Sequence, residues 1–395
     1  MTEPLPPRPE PRRQWSRRLR DRLATLLITA GGLGVVAAVL AIGVFLALEV
    51  APLFLAAEAS LGWGELWREY WQPGTLPGET PAYGMLPLAW GTLKAAFWAL
   101  LFAIPLALGA AIHSALYMPP RLRSRLKPTL EMMEAMPGVV VGFVAGLVLA
   151  PWVERHLAGA LALALVLPAG MLLAGMAWTR LPPGLRRRLL PGWAGLWLMP
   201  WLALLATLSL WLSPVLEGLL FNGDLRHWLA ARFGLDYASR NALIVGLAMG
   251  FAVIPGIYAL AEDALTGVPA SLGEGAQALG ATRWQSLWKV VLPAAAPGVF
   301  SAVMIGAGRA VGETMIVLMA SGNTALMSLN PLEGLRSLSA TIAIELPEAA
   351  AGGTHYRLLF LAALLLFAFT FLVNTLAEGV RTRLRRRYRR LEGGA

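Results

Sequence analysis

Arg309 and Glu313 stand four residues apart in GAGRAVGETM, inside a run that is otherwise apolar. At helical spacing they share one face. A charge at the middle of a hydrocarbon layer costs from about 2.5 to more than 10 kcal/mol, so it is kept where it faces a cavity or a partner. Two roles fit. The pair is a structural salt bridge within a helical bundle, or it lines a solute pathway in which the planar guanidinium fork meets the oxygens of a tetrahedral oxyanion. An isolated pair recovers its desolvation cost poorly and an apolar pair would pack as well, which favours the pathway. Gly306, Gly308 and Gly312 keep this part of the helix slim, leaving room for another helix or a solute.

A second candidate lies just upstream. Between apolar runs sits a polar, glycine-punctuated segment, 263–293. Ser271 and Glu274 have the spacing of a capping box for a short helix over Pro269 to Leu279, and Gly280 is placed to stop it in a turn of positive φ. A second helix from about Arg283 carries Trp284, Leu287, Trp288 and Val291 at helical spacing before Pro293. A helix, a glycine turn and a helix exposed to water between two spans make a docking surface.

The spacing of Glu274, Ala276, Gly280, Val290, Leu292 and Pro293 resembles the E-A-A-x3-G-x9-I-x-L-P loop of ABC-transporter permeases, with Gly275 where that loop has Ala and Val290 where it has Ile. The resemblance implies that the loop seats in a cleft of an ATPase subunit. This chain has no phosphate-cradling loop of its own, because Lys94, Lys127 and Lys289 follow Leu93, Leu126 and Trp288 rather than glycine. The ATPase is therefore expected on separate chains.

Composition sets the class. With 57% hydrophobic and 14% charged residues and a mean hydropathy of +0.61, the chain falls among multi-span membrane proteins. The net charge of +10 comes from arginine blocks beside apolar runs, which marks membrane topology rather than nucleic-acid binding. Cysteine is absent, and His113, His156, His227 and His355 have no ligand spacing, so neither a disulfide nor a metal site is expected.

The pattern predicts an all-α, polytopic transmembrane bundle of about eight spans with both termini cytoplasmic. A basic N-terminal tail, 1–22, precedes spans one to three in 23–156, whose external loop, 49–85, holds Trp63, Trp67 and Trp71. Those tryptophans fit either an interfacial helix or a packed external turn. The first apolar run, Leu23 to about Leu48, is longer than the about 7 to 15 residues of a cleaved signal. A basic loop with Arg121, Arg123, Arg125 and Lys127 leads to a third span, starting after Glu131 and Glu134 and ending near Trp152. Negative charge there suits a helix N-terminus, and Pro137 falls in its first turn. Gly138, Gly142 and Gly146 form a close-packing face. Residues 157–212 read as a transmembrane hairpin whose two apolar runs are separated by a basic turn with Arg180, Arg186, Arg187 and Arg188. The remaining core, 213–380, includes a seventh span over about Pro297 to Ala320, and a basic tail, 381–395, follows.

The words around Arg309 narrow the resemblance. LPAAAPGVFSAVMIGAGRAVGETMIVLMASGN, NPLEGLRSLSATIAIELPEA and THYRLLFLAALLLFAFTFLVNTLAE are similar to PstC-type permease subunits of bacterial phosphate importers, with Met315 after Thr314 as in that subunit. The resemblance implies the type I importer permease fold, with 157–212 as an insertion. It also implies a bacterial inner-membrane location, a PstA-like permease partner, two ATPase subunits that carry the ATP, and a periplasmic phosphate-binding protein. No cofactor on this chain is implied. Arg309 and Glu313 match residues linked to phosphate passage, Thr314 adjoins them, and Pro137, Gly138, Gly308 and Gly312 are placed at packing or gating contacts. A sulfate or molybdate permease is the nearest alternative; an anion channel or ion-coupled carrier would not need the docking loop.

Overall fold

Apolar runs of these lengths satisfy their backbone donors and acceptors inside a hydrocarbon layer by forming helices. The structure, a computed structural model, describes residues 11–55, 63–72, 82–182 and 194–392. In chain order its helices are α1 (Pro11–Leu55), α2 (Trp63–Leu66), α3 (Leu86–Leu116), α4 (Pro120–Glu134), α5 (Gly138–Val144), α6 (Ala150–Arg155) and α7 (Leu157–Arg180). Then follow α8 (Ala194–Trp211), α9 (Ser213–Leu220), α10 (Leu225–Phe233), α11 (Ala242–Thr266), α12 (Ala270–Ala278) and α13 (Arg283–Ser286). The last four are α14 (Leu292–Gly312), α15 (Met315–Ala320), α16 (Leu338–Glu345) and α17 (Thr354–Glu392). Single π-helical turns, Ala145–Leu149 and Leu287–Val291, join α5 to α6 and α13 to α14.

Among the described residues, seven helical segments are long and apolar enough to cross a membrane, and the pair Leu198–Trp211 with Ser213–Phe233, bent by 49°, passes the same test when taken as one broken span. The all-α, polytopic expectation holds.

The core is a seam of small residues. Ala95, Ala99, Ala103, Ala107 and Ala111 recur every fourth position of α3 and are each no more than 1% exposed. They face α11, where a Cβ on Gly246 would lie 2.7 Å from Trp98 Cβ and one on Gly250 3.0 Å from the Ala99 carbonyl. In lipid, close backbone approach replaces the hydrophobic drive as the source of packing energy. α14 lies along α11, α17 lies along α14, and α1 lies along α17. The expected glycine face of the third span packs on α15, since a Cβ on Gly142 would come within 2.8 Å of the Met315 carbonyl and one on Gly146 within 2.4 Å of that of Met319.

Several local expectations are corrected. The basic stretch 121–127 is not a loop but the first half of α4, which runs on to Glu134. Glu131 and Glu134 therefore end a helix instead of beginning the third span. The chain breaks before Pro137, whose ring disfavours helical geometry at Met136, and Pro137 is the N-cap of α5. The third span continues through the π turn to Arg155. The tryptophan segment adopts the packed-turn alternative: α2 lasts one turn, and Trp71 joins a two-stranded antiparallel pair, β1 (Trp71–Gln72) with β2 (Ala82–Tyr83).

In the 157–212 hairpin, α7 and α8 pack on each other through Gly159 against the Ser209 carbonyl and Gly170 against Leu205. Of its basic turn, Arg180 ends α7, and Arg186 to Arg188 lie outside the described residues. So do residues 1–10 and the last three residues of the C-terminal tail.

Candidate functional site

Arg309 lies in the last turn of α14, where the negative end of the helix dipole suits a cation. The expected partnership with Glu313 is not formed. α14 ends at Gly312, and Glu313 takes an extended conformation (φ −68°, ψ 124°), so the four-residue spacing no longer shares a helix face. Glycine is the weakest of the ordinary helix formers, and the β-branched Thr314 that follows adds little to hold the turn.

Beyond the break, the Glu313 carboxylate accepts from the Ile316 amide at 3.4 Å and so serves the start of α15. It also lies 2.9 Å from where a Cβ on Gly138 would stand, which explains why glycine follows Pro137 at the start of α5. Ser339 Oγ donates to the Glu313 carbonyl at 3.1 Å, and Thr314 Oγ1 to the Gly312 carbonyl at 3.3 Å.

The partner of Arg309 is Glu134, at the end of α4. Nη1 donates to Glu134 Oε1 at 2.6 Å, and Nη2 to the Glu134 carbonyl at 3.4 Å. Both side chains remain partly open, at 36% and 44% exposure. Charge-assisted bonds of this kind are about twice as strong as neutral ones, but solvent access keeps the net value of the pair small.

The guanidinium stands between two cavities. One, of about 200 Å³, is bounded by Glu134, Val253, Gly256, Ile305 and Gly306. The other, of about 420 Å³, is bounded by Ser301, Gly308, Asn374, Glu378 and Arg381. Gly306 is pressed against Ile257, while Gly308 lets Asn374 Oδ1 approach to 3.3 Å of its would-be Cβ, and Gly312 faces open space.

α4 is also tied to the root of the docking segment. Glu262, fully buried near the end of α11, pairs with Arg123 and with Lys127, the latter at 2.9 Å, and Lys127 also pairs with Asp263. Burial lowers the pKa of the Lys127 ammonium, but its bonds to Asp263 and Glu262 outweigh that and hold it above the ordinary lysine range.

The docking segment has the expected outline with one correction. α12 begins after Pro269 with no side-chain cap, so Ser271 and Glu274 lie inside the helix and form no capping box. The capping box is one helix later: Gln285 N donates to Thr282 Oγ1 at 3.2 Å, and Thr282 N to Gln285 Oε1 at 2.9 Å. Gly280 has φ +92°, with Ala281 N bonded to the Ala276 carbonyl and Gly280 N to that of Gln277. That pattern closes a helix on a left-handed residue.

No residue of α12 is buried. Leu279 is 92% exposed, Trp284 62% and Trp288 49%, a concentration of bare apolar side chains in a polar segment that marks a contact surface. Between α12 and α13 lies a cleft of about 320 Å³ bounded by Tyr117, Gly273, Glu274, Gln277, Arg283 and Ser286. A Cβ on Gly275 would meet nothing within 4 Å, so glycine in place of alanine there is sterically neutral. The helix does not stop at Pro293; the π turn at Leu287–Val291 precedes it, and α14 carries Leu292 and Pro293 in its first turn.

Away from Arg309, Glu345 joins elements far apart in sequence. It accepts from Trp71 Nε1 at 3.0 Å, pairs with Arg336, and contacts His355 Nε2 at 2.8 Å. Burial, and then the Glu345 charge, raise the pKa of the adjacent Tyr83.

A family model described as "Binding-protein-dependent transport system inner membrane component" matches residues 166–390. The chain is similar to the phosphate transport system permease protein PstC of Pasteurella multocida, 28% identical over 323 residues covering 81% of this chain and 80% of that protein. It is also similar to PstC 1 of Mycobacterium tuberculosis, 29% identical over 332 residues and 80% of each chain. The probable ABC transporter permease protein YqgH of Bacillus subtilis is 33% identical over 142 residues, 36% of this chain and 46% of that protein, so that match spans less than half of the relative.

Proposed function

This chain belongs to the family of binding-protein-dependent transport system inner membrane components, and on that premise we propose that it is the PstC-type subunit of an ATP-driven importer of inorganic phosphate. It would sit in the bacterial inner membrane with both termini in the cytoplasm. A PstA-like permease would complete the pathway, two ATPase subunits would bind ATP, and a periplasmic binding protein would deliver phosphate from outside.

The observation that carries this reading is the placement of Arg309. Its guanidinium lies within a span, partly exposed, between two cavities. There its forked donors suit phosphate oxygens. Glu313 and Thr314, at the helix break just beyond, form the next part of the pathway. Pro137, Gly138, Gly308 and Gly312 allow the elements around that break to approach and shift.

The docking segment supplies the coupling. α12 with Glu274, Gly275 and Ala276 would seat in the ATPase cleft, with the bare side chains of Leu279 and Trp284 as anchors, while Gly280 fixes the angle to the second helix. Because α13 continues through the π turn Leu287–Val291 into α14, which carries Leu292 and Pro293 in its first turn, closure of the ATPase dimer would push directly on the helix whose last turn holds Arg309. Transport by alternating access follows from that connection.

The test is reconstitution of this chain with its partner permease and ATPase in ATP-loaded vesicles, with labelled phosphate and the binding protein supplied outside. Uptake that needs ATP, and that excess sulfate or molybdate leaves unaffected, is the expected result. Uptake of sulfate or molybdate in preference to phosphate would overturn the phosphate assignment.

A further inference from the structure

Glu134 occupies the donors that a substrate oxyanion would need. We propose that Glu134 is a tethered counter-anion, which holds the Arg309 guanidinium when phosphate is absent and is withdrawn and returned by α4 as the docking loop moves. The inference rests on reading Arg309 as a phosphate contact, and it gives the competing role to a residue from a distant part of the chain.

The geometry supports it at three points. Glu134 engages both terminal nitrogens of Arg309, one through its carboxylate at 2.6 Å and the other through its carbonyl at 3.4 Å. An oxyanion therefore gains that edge of the fork only as Glu134 leaves it. The two side chains also share a cavity, where a Cβ on Gly256 would stand 3.1 Å from the carboxylate and 3.8 Å from the guanidinium. Glycine keeps that space free for an exchange of partners.

The third point is the tether. Glu134 ends α4, and the same helix is bound through Arg123 and Lys127 to Glu262 and Asp263, just before the docking segment. Glu262 is fully buried, so separating it from its cations is unfavourable and α4 should follow the end of α11. Movement at the ATPase face is thereby carried to Glu134 along one helix. A pathway site has to bind well enough to admit an ion and weakly enough to release it. A carboxylate that returns to the guanidinium in one half of the cycle meets both demands, because it expels the anion by substitution and leaves no bare charge behind.

The test uses the assembled complex in lipid nanodiscs without nucleotide, with binding of labelled inorganic phosphate measured at equilibrium and assembly checked by size exclusion. Glu134→Gln, similar in shape but uncharged, should lower the Kd for phosphate at least about tenfold, a gain of about 1.4 kcal/mol. The gain should vanish in Glu134→Gln with Arg309→Gln. An unchanged or weaker affinity in Glu134→Gln, or failure of that variant to assemble, would identify the pair as structural and overturn the proposal, while loss of uptake in Arg309→Gln alone would leave the phosphate-contact reading standing. Full uptake by Arg309→Gln would remove both.

Discussion

The Arg309 guanidinium donates to Glu134 at 2.6 Å across 175 residues of chain, whereas Glu313, its neighbour four positions on, has turned away to the amide of Ile316. The bond joins the last turn of a span to the end of an amphipathic helix that is itself ion-paired to the root of the docking loop.

Replacing Gly280 by Val should leave the protein in the membrane and uncouple ATP hydrolysis from uptake. At φ +92° a β-branched residue costs on the order of 1–2 kcal/mol, which is relieved by opening the turn and re-aiming α12. ATPase assays of the reconstituted complex, with and without the phosphate-loaded binding protein, are the check. Stimulation equal to that of the unaltered protein would count against the docking role.

The ion pairs on Glu262 should respond asymmetrically. Glu262→Gln leaves behind Arg123 and Lys127, which are 32% and 24% exposed and are rehydrated readily. Removing both cations, as Arg123→Ala with Lys127→Ala, instead strands a carboxylate of zero exposure and should cost about 3–5 kcal/mol. Thermal melts of the detergent-solubilised protein should therefore fall further for the double cation variant than for Glu262→Gln.

Topology is open to direct labelling. A cysteine at Ser124, exposed on α4, should react with a membrane-impermeant reagent from the cytoplasm alone, and one at Ala351, exposed ahead of α17, from outside alone. The chain has no native cysteine to interfere. Reaction of both from the same side would break the assigned orientation, which rests on the placement of the arginine blocks.

Much of this architecture is legible in the residues themselves. Span positions follow from apolar runs, the turn at Gly280 from the need for positive φ, and the close packing at Gly142 from a glycine every fourth residue, though not the identity of its neighbour, α15. The alanine seam of α3 is equally periodic, from Ala95 to Ala111, yet alanine is so common in helices that its stripe attracts no notice beside glycine. The T-x-x-Q capping box at Thr282 was readable as well, but the serine and glutamate upstream offered a rival box that the backbone does not use.

What local pattern could not supply was the partner of Arg309. Four-residue spacing promises a shared face only while the helix continues, and the end of α14 at Gly312 cancels that promise. Glu134 sits in a stretch whose charge suited a helix start, and only tertiary folding turns that stretch into the end of α4 and brings it to α14. Glu345 is a similar case, since Trp71, Arg336 and His355 meet it from three separate segments.

Whether the anion passes Arg309 is decided by phosphate uptake in the double variant Arg309→Gln with Glu134→Gln. Arg309→Gln alone removes charge-assisted bonds worth about 1.5–3 kcal/mol and should reduce uptake at least about tenfold. The second change neutralises the carboxylate left without its partner, which restores whatever stability the single change lost but supplies no donor fork for phosphate. A stable, assembled double variant that hydrolyses ATP without accumulating phosphate is expected; recovery of uptake to the level of the unaltered complex would refute passage at Arg309 and reduce it to the counter-charge of Glu134.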